Sequence, residues 1–453
     1  MAAPLSSRAR SRLYADLLVR RASQLVTLAG HSDRPIRGAV DEAALGIVED
    51  GAVACAGDRI VAAGPTSRVE SRIAWDSRTA VIDARDHAVI PGFVDCHTHS
   101  LYAGDRAAEW ARRLRGESYL TILRSGGGIL STVRRTREEP LDGLVQAAVQ
   151  RLFRMVRSGT TTVEIKSGYD LTPAGEVRLL EAVRACAELV PIQVVPTFLG
   201  AHAVAPEYAG QPDRYAALVV DEMLPALAAR PELARFCDVF CEEGAFDADQ
   251  SRRILNRARE LGFALKIHAD QFHAGGGTRL AAELQAVSAD HLNFATPEEL
   301  SLLAASGTVA VLLPGAELTM RSAKRPPVEA MRELGVPMAV ATDHNPGTSP
   351  IESMALACAL ACPVLGMTPE EALAAGTINA AHALALGQEV GSLEVGKRAD
   401  LVVLTGPSYL HLLYRLGVDG VEAVVGGGRV VWAGGGGAGP LSGTAQKERE
   451  DVT

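Results

Sequence analysis

Two histidines one residue apart, His97 and His99, follow an apolar run that begins at Val89. In an extended strand, residues i and i+2 point to the same side, so the two imidazoles can aim at one point. Neutral imidazole is a common ligand for zinc and iron. The pair therefore predicts a metal site at a strand end, and the alternative is a chance pair in a chain with 11 histidines.

The remaining ligands are expected at the ends of later apolar segments, where His268, His291 and Asp343 lie. His97, His99 and His268 supply three nitrogens, and Asp343 supplies a carboxylate oxygen. Together with a water molecule, this set gives one divalent ion an open coordination position. The residue types therefore predict a hydrolytic metal site.

Water bound in such a position has a pKa of about 7, so hydroxide is available near neutral pH to attack a carbonyl. Asp343 can take and relay the proton of this water, and His291 can polarise the carbonyl or shuttle a proton. Structural roles are the alternatives: a core histidine for His268, an Asx turn for Asp343 and support of the ligands for His291. His202, at another strand end, is predicted to contact substrate rather than metal.

A second metal ion would need a bridging group, commonly a carboxylated lysine at the end of strand four. The fourth predicted strand is 238–241, and the positions after it hold Glu242 and Glu243. Lys166, directly after the second predicted strand at 161–165, is the only rival. One metal ion is therefore the prediction.

The elements that must position these residues alternate between strand and helix after residue 92. This pattern predicts an α/β fold, a (β/α)8 TIM barrel, in which functional residues cluster at the C-terminal ends of the strands. An open doubly wound sheet is the alternative. Helix starts are indicated by Thr172, Asp247 and Thr296, and one of the predicted helical segments spans 213–229. The predicted strands are 93–97, 161–165, 193–198, 238–241, 264–267, 286–289, 309–313 and 338–342.

Short β segments flank the barrel on both sides, in residues 15–90 and 386–433, and segments 17–19 and 25–28 are predicted as two separate strands. The C-terminal strands are too few to fold alone. We therefore expect both segments to form one small composite β-sandwich domain, with the barrel of residues 91–385 inserted between them. The tails, residues 1–14 and 434–453, are predicted to be disordered.

The composition argues against several classes of partner. A net charge of −9 does not suit a nucleic-acid or anionic membrane surface. Apolar runs are too short to span a membrane. Seven cysteines without a CxxC pair, and an N-terminus without the apolar core of a signal peptide, predict reduced thiols and a cytoplasmic location.

Residues 91–99, Pro-Gly-Phe-Val-Asp-Cys-His-Thr-His, and residues 391–402 resemble signatures of the amidohydrolase superfamily of metal-dependent hydrolases. This resemblance covers about residues 15 to 435. Within that superfamily the chain closely resembles the imidazolonepropionase family, in short stretches over most of the chain. The stretches that carry this closer resemblance are 116–120, 126–133, 159–169, 198–203, 266–270, 288–292, 311–315 and 341–350.

The resemblance implies hydrolysis of the ring C–N bond of the small molecule 4-imidazolone-5-propanoate to N-formimino-L-glutamate, a step of histidine degradation. It implies one divalent metal ion, zinc or alternatively iron, on the four ligands named above, and a homodimer. A propanoate tail calls for a bidentate cation, which Arg106 can supply, and a planar polar ring calls for donors and acceptors. By position, the substrate contacts fall on Arg106, Tyr169, His202, Asn345, Gly347 and Thr348.

One position departs from part of the family. Some members carry Glu three residues after the strand-five histidine, and this chain has Gln271. Glutamine can hydrogen-bond the substrate but cannot act as a base, which shifts the base role to Asp343 with His291 assisting.

Two other functions are alternatives to this hydrolase. A mononuclear deaminase of a purine or pyrimidine ring would share the metal site, but the glycine-rich residues 126–128 and the Ser-Gly-Tyr loop at 167–169 favour the imidazolone substrate. A non-catalytic barrel would have lost metal ligands, and all four are present in this chain.

Overall fold

The structure is a computed structural model that describes residues 13–117, 121, 126–434 and 441–442. Its centre is a sheet of eight parallel strands in which each strand pairs with the next one along the chain. The eight barrel strands are Phe93–Asp95, Thr160–Lys166, Gln193–Ala201, Phe236–Cys241, Ala264–Ala269, Ser288–His291, Val309–Leu312 and Met338–Val340.

The first and eighth barrel strands meet just beyond their C-terminal ends. Thr98 forms a parallel bridge with His344, and the His99 N–H donates to the His344 carbonyl. A doubly wound sheet would instead reverse its strand order and leave two open edges. The predicted (β/α)8 barrel is therefore confirmed, and it closes at the end that carries the predicted ligands.

The helices between the strands begin where the sequence supplies a cap. The side chains of Thr172, Asp247 and Thr296 each accept a hydrogen bond from the backbone N–H three residues later, as predicted. The predicted helix at 213–229 is divided by a π-helical turn, Val219–Met223. The described α-helices are Thr66–Arg72, Ala107–Leu114, Ile129–Glu138, Leu141–Arg157, Pro173–Leu189, Pro212–Leu218, Leu224–Ala228, Ala248–Glu260, Gly277–Glu283, Pro297–Ser306, Pro314–Met320, Val328–Leu334, Met354–Leu365, Pro369–Ala375, Ile378–His382 and Leu410–Tyr414.

A nine-stranded sheet combines strands from both ends of the chain. Its central strand Ala88–Pro91 pairs with Leu17–Val26 on one side and with Leu401–Leu404 on the other. The small composite β domain is therefore present beside the barrel. The other strands of this sheet are Ile47–Ala56, Arg59–Pro65, Ala80–Asp83, Val421–Gly426, Arg429–Ala433 and Leu441–Ser442.

Two details of this domain differ from the sequence prediction. Segments 17–19 and 25–28 form one strand, Leu17–Val26, because a bulge after Val19 lets the pairing continue past Arg21, whose φ is 61°. In the tails predicted to be disordered, Leu13–Tyr14 forms a two-residue strand with Ile73–Ala74, and Leu441–Ser442 forms another that pairs with Val81 and Ile82. The rest of the predicted disordered tails, 1–12, 435–440 and 443–453, lies outside the described residues, and the predicted domain boundaries stay a prediction. Among the described helices, each is too short or too polar to cross a bilayer.

The chain passes from the composite sheet into the barrel through one residue, Gly92. Its N–H donates to the Asp400 carbonyl of the C-terminal segment, while the Phe93 N–H donates to the Gly159 carbonyl before the second barrel strand. A Cβ at position 92 would lie 2.1 Å from Thr161 Oγ1 and 2.8 Å from Thr161 Cβ. Glycine is therefore required where the ligand-bearing strand enters the barrel.

We predict that Gly92→Ala lowers the free energy of unfolding by about 1–3 kcal/mol, because the added methyl overpacks a buried contact. Urea denaturation of Gly92→Ala, Thr161→Ala and the double variant measures this effect. Since Thr161→Ala removes the nearest atoms but leaves Cβ, the loss caused by Gly92→Ala should be smaller in that background. Equal losses in both backgrounds would contradict the contact.

Candidate active site

The four side chains predicted as metal ligands meet at the C-terminal end of the barrel, and all are buried. Nε2 of His99 lies 3.3 Å from Nε2 of His97 and 3.4 Å from Nε2 of His268. Oδ1 of Asp343 lies 3.6 Å from His97 Nε2 and 3.7 Å from His99 Nε2. Ligand atoms about 2.05 Å from one tetrahedral ion are roughly 3.3–3.4 Å apart. The spacing therefore fits a single ion of zinc size.

A buried carboxylate decides which nitrogen of His97 is available. His97 Nδ1 donates to Asp290 Oδ2 over 2.6 Å, which leaves the Nε2 lone pair directed at the other ligands. Asp290 is itself fixed, because Ser288 Oγ donates to its Oδ1 over 2.7 Å. The sequence reading assigned a role to His291 and none to Asp290. The sequence feature that could have indicated Asp290 is the alternation of polar Ser288 and Asp290 with apolar Val287 and Ala289 around a buried strand.

The protonation of the ligands also suits a cation. Burial lowers the pKa of His97 and of His99 well below that of an ordinary imidazole, so both rings are neutral at pH 7 and keep a free lone pair. Burial raises the pKa of Asp343 well above that of an ordinary carboxyl. A carboxyl buried in this way ionises readily only when a positive charge lies beside it. The donor set therefore fits a divalent metal ion.

Five charged side chains lie fully buried inside the barrel beneath the ligands: Glu164, Lys166, Asp238, Lys266 and Asp290. Lys166 Nζ lies 2.7 Å from Asp238 Oδ2 and 2.9 Å from Glu164 Oε2, and Lys266 Nζ lies 3.0 Å from the same Glu164 oxygen. Burial alone lowers the pKa of Lys166, but the carboxylates of Asp238 and Glu164 outweigh it and raise that pKa above its ordinary value. Lys166 is therefore an ion-pair partner, which argues against a carboxylated lysine bridge.

A second group with metal-ligand spacing, Asp238, His268 and Asp290, lies in the same buried layer. Lys166 Nζ lies near both of its carboxylates, at 2.7 Å from Asp238 and 3.8 Å from Asp290. Asp238 Oδ2 is 3.0 Å from His268 Nδ1, although the two are not aligned as a hydrogen bond. The ammonium group compensates these carboxylates, so their role is to support the ligands.

Tyr169 and His202 pack beside His99. The rings of His202 and His99 stack with centroids 4.8 Å apart, and the Tyr169 centroid lies 5.2 Å from that of His202. His202 Nδ1 donates to the Gly168 carbonyl, which leaves Nε2 as an acceptor. Burial lowers the pKa of His202 to about 3 and raises the pKa of Tyr169 above its ordinary value. The pair can therefore offer a polar ring one acceptor and one hydroxyl donor at pH 7.

The loop that follows Asp343 is shaped by Asn345. Its Nδ2 donates to the Asp343 carbonyl, and its Oδ1 accepts the backbone N–H groups of Gly347 and Thr348. Thr348 Oγ1 lies 3.4 Å from Asp343 Oδ2. Both ends of the Asn345 amide are therefore used inside the loop, and substrate contact by Asn345, Gly347 and Thr348 stays a prediction.

The other predicted residues lie around the same barrel end. Arg106 packs on the Asp343 loop, since a Cβ on Gly347 would lie 2.2 Å from Arg106 Nη1. The His291 ring centroid lies 5.6 Å from that of His268, and burial lowers the pKa of His291, so its ring is neutral at pH 7. Gln271 is buried, and its backbone N–H donates to Glu242 Oε2 over 3.0 Å.

Comparison with known proteins agrees with this fold and site. The model of the amidohydrolase family matches residues 88–431. The chain belongs to the amidohydrolase family. Amidohydrolases are metal-dependent, in keeping with the cluster of His97, His99 and His268. The resemblance predicted from the motifs is thereby confirmed.

Several relatives at 43–50% identity are named imidazolonepropionase, which confirms the closer resemblance as well. The chain is 50% identical to the imidazolonepropionase of Symbiobacterium thermophilum over 416 residues, and the match covers 92% of this chain and 97% of that protein. It is 47% identical over 418 residues to the one from Geobacillus kaustophilus, with shares of 92% and 97%.

Solved structures of more distant proteins share the fold. An adenosine deaminase from Xanthomonas campestris with bound zinc has a TM-score of 0.65 and 21% identity, and the match covers 92% of this chain and 93% of that chain. The guanine deaminase of E. coli has a TM-score of 0.67 and 17% identity, with coverage of 92% and 99%. At these identities the likeness shows the barrel with its β domain and leaves the substrate open.

We predict that Asp290→Asn weakens metal affinity about tenfold to hundredfold, because the His97 imidazole loses its anionic hydrogen-bond acceptor. Chelator competition with the zinc-loaded protein measures the affinity directly. Asp249→Asn, the same exchange at an exposed helix position, is the matched control and should bind metal like the wild type. If both variants kept wild-type affinity, the support of His97 by Asp290 would be disproved.

Proposed function

We propose that this amidohydrolase hydrolyses the ring C–N bond of 4-imidazolone-5-propanoate and releases N-formimino-L-glutamate, the reaction of histidine degradation that the name imidazolonepropionase describes. The observation that carries the proposal is a four-ligand set for one metal ion with a guanidinium, Arg106, at the loop of Asp343. Relatives at 50% and 47% identity that carry this name support the assignment.

The cofactor is one divalent ion, zinc in the first place and iron as the alternative, held by His97, His99, His268 and Asp343. Ligand-atom separations of 3.3–3.7 Å support a single ion. When bound, the ion supplies activation of a water molecule and polarisation of the ring carbonyl. The ion pairs of Lys166 with Glu164 and Asp238 argue against a second ion bridged by a carboxylated lysine.

Proton transfer is assigned to residues of the chain itself. Asp343 directs Oδ1 at the histidine ligands and Oδ2 toward Thr348, so Oδ2 can receive the proton of the attacking water. Because burial favours the protonated carboxyl, Asp343 can hold this proton and relay it to the leaving ring nitrogen. His291, which is neutral at pH 7, assists, while Gln271 can contact the substrate but cannot act as a base.

Substrate recognition divides between the two ends of the molecule. Arg106 binds the propanoate tail, since guanidinium and carboxylate match in charge and in planar geometry. Tyr169 and His202, packed beside the metal ligand His99, offer a donor and an acceptor to the ring. Further contacts are assigned to Gln271, Asn345, Gly347 and Thr348.

The setting we propose is a homodimer in the cytoplasm that acts on this small molecule, without nucleic acid or membrane as partner. A net charge of −9 supports the exclusion of polyanionic partners. All seven cysteines are free thiols, as a reducing compartment requires.

The deciding experiment compares two substrate classes. Imidazolonepropanoate, generated in the assay by urocanase because it is unstable, is followed for ring opening, and a panel of purines and pyrimidines is tested for ammonia release. We expect ring opening well above the blank and no deamination. Ammonia release alone would indicate a deaminase. Metal content far below one ion per chain that zinc and iron fail to restore would indicate a non-catalytic barrel.

We predict that Asp343→Asn and His268→Ala each abolish turnover, because either change removes a ligand atom from the cluster. Single-turnover assays together with metal analysis test both variants. His31→Ala serves as the control, since the ring of His31 faces the Ala44 carbonyl in the β domain. Turnover by Asp343→Asn near the wild-type rate would refute the proton relay.

We predict that Arg106→Ala mainly raises KM and leaves kcat closer to that of the wild type, because the tail is remote from the scissile bond. The loss corresponds to charge-assisted hydrogen bonds of about 1.5–3 kcal/mol, or roughly tenfold to hundredfold in KM. Steady-state kinetics measure the split. An unchanged KM would show that the tail binds elsewhere.

A further inference from the structure

Glu109 lies outside the predicted substrate contacts, yet it touches Arg106 directly. We propose that Glu109 is a positioning residue that orients the Arg106 guanidinium, so that its Nη1–Nη2 edge receives the carboxylate of the substrate. This inference rests on the proposed function and deepens it, because it explains how the site selects a substrate with a carboxylate tail.

The contact between the two side chains leaves one edge of the guanidinium for a ligand. Arg106 Nε donates to Glu109 Oε2 over 2.8 Å, and the two side chains are only 13% and 14% exposed. A guanidinium binds a carboxylate either through Nε and one terminal nitrogen or through its two terminal nitrogens. Since Glu109 uses Nε, the edge of Nη1 and Nη2 is the one that a second carboxylate can approach.

Glu109 is held in turn by the glycine-rich stretch. The Gly128 N–H lies 3.1 Å from Glu109 Oε2 and 3.3 Å from Oε1, and the one hydrogen of Ser131 Oγ can go to Oε1, 3.1 Å away, or to the Gly128 carbonyl, 2.8 Å away. Gly128 has φ 76°, a left-handed conformation that suits glycine. The role of the motif at 126–131 is therefore to fix the Glu109 carboxylate, which in turn orients the Arg106 guanidinium.

The backbone of Gly347 is a second contact of the guanidinium. A Cβ on Gly347 would lie 2.2 Å from Arg106 Nη1 and 2.9 Å from Cζ, so the guanidinium packs directly on the backbone there. The Gly347 N–H donates to Asn345 Oδ1 in the loop of the metal ligand Asp343. Glu109 and Gly347 together therefore place the guanidinium relative to the metal ligands.

Charge and position predict opposite effects when Glu109 is neutralised. Loss of its charge alone would strengthen the attraction of Arg106 for an anion. Loss of its position would replace two parallel hydrogen bonds to the substrate by one, which weakens binding about tenfold. Glutamine in place of Glu109 has a single acceptor oxygen for the three donors of Arg106, Gly128 and Ser131, so we expect the guanidinium to turn. The weaker binding caused by the lost position should then exceed the stronger binding caused by the lost charge.

Glu109→Gln in the metal-loaded enzyme tests this. We expect KM for imidazolonepropanoate to rise about tenfold with kcat within about twofold. Inhibition constants for imidazole-4-propanoate and imidazole-4-propanamide supply a second readout, and the preference for the acid should fall about tenfold. Glu117→Gln, the same exchange in a neighbouring pair with Arg112, is the matched control and should leave both quantities unchanged.

Gly347→Ala crowds the guanidinium at Nη1, so it should displace the guanidinium, raise KM and weaken the acid preference in the same way, even if Glu109→Gln folds poorly. An unchanged or lowered KM in Glu109→Gln, or a loss of kcat without a change in KM, overturns the positioning role. Failure of the wild type to open imidazolonepropanoate overturns the proposed function instead. In that case the preference for acid over amide still reports on Glu109.

Discussion

The pairing of buried charges inside the barrel is the interaction on which the rest of the site depends. A charge buried without a partner costs several kcal/mol. Five charged side chains are fully buried in the barrel and must therefore stay in contact with one another: Glu164, Lys166, Asp238, Lys266 and Asp290. Those contacts join strands two, four and five directly beneath the metal ligands. Asp290 extends the pairing to His97 and fixes its tautomer. The metal site thus lies on a layer of ion pairs that contacts the ligand His97 through Asp290.

The loops above this layer share a second device, in which a carboxylate accepts backbone N–H groups. Glu176 accepts those of Gly168, Asp170 and Leu171, on either side of the predicted substrate contact Tyr169. Glu242 accepts those of Gln271 and Phe272 after strand five, and Glu109 does the same for Gly128. A fixed acceptor is an effective way to order an irregular loop, because buried backbone donors must be satisfied. Rigid loops in turn keep the proposed substrate contacts at constant distances from the ligands.

Much of the architecture could be predicted because it depends on near neighbours in the chain. Apolar runs followed by capped amphipathic segments indicated all eight barrel strands, and Thr172, Asp247 and Thr296 cap helices as predicted. Where the prediction was incomplete, the cause was a feature that local patterns do not show. The bulge in Leu17–Val26 depends on pairing with Ile47–Ala56, which turned two expected strands into one. The hydrogen bonds of the Asn345 amide within its loop were likewise not visible in the local pattern, and substrate contact by Asn345 stays a prediction.

The sequence by itself determined the order of strands and helices, the family and the four candidate ligands, because the spacing of residues along the chain shows which side chains stand at successive strand ends. Only the tertiary structure decided which residues support those ligands. Asp290 reaches His97 across 193 positions of the chain, and Gly347 meets Arg106 only because the barrel closes between its first and eighth strands. Glu109 lies three residues from Arg106, yet its role depends on donors from Gly128 and Ser131. The hydrogen bonds that support a site need donor–acceptor distances of about 3 Å, often between residues far apart in sequence, and only the folded chain sets those distances.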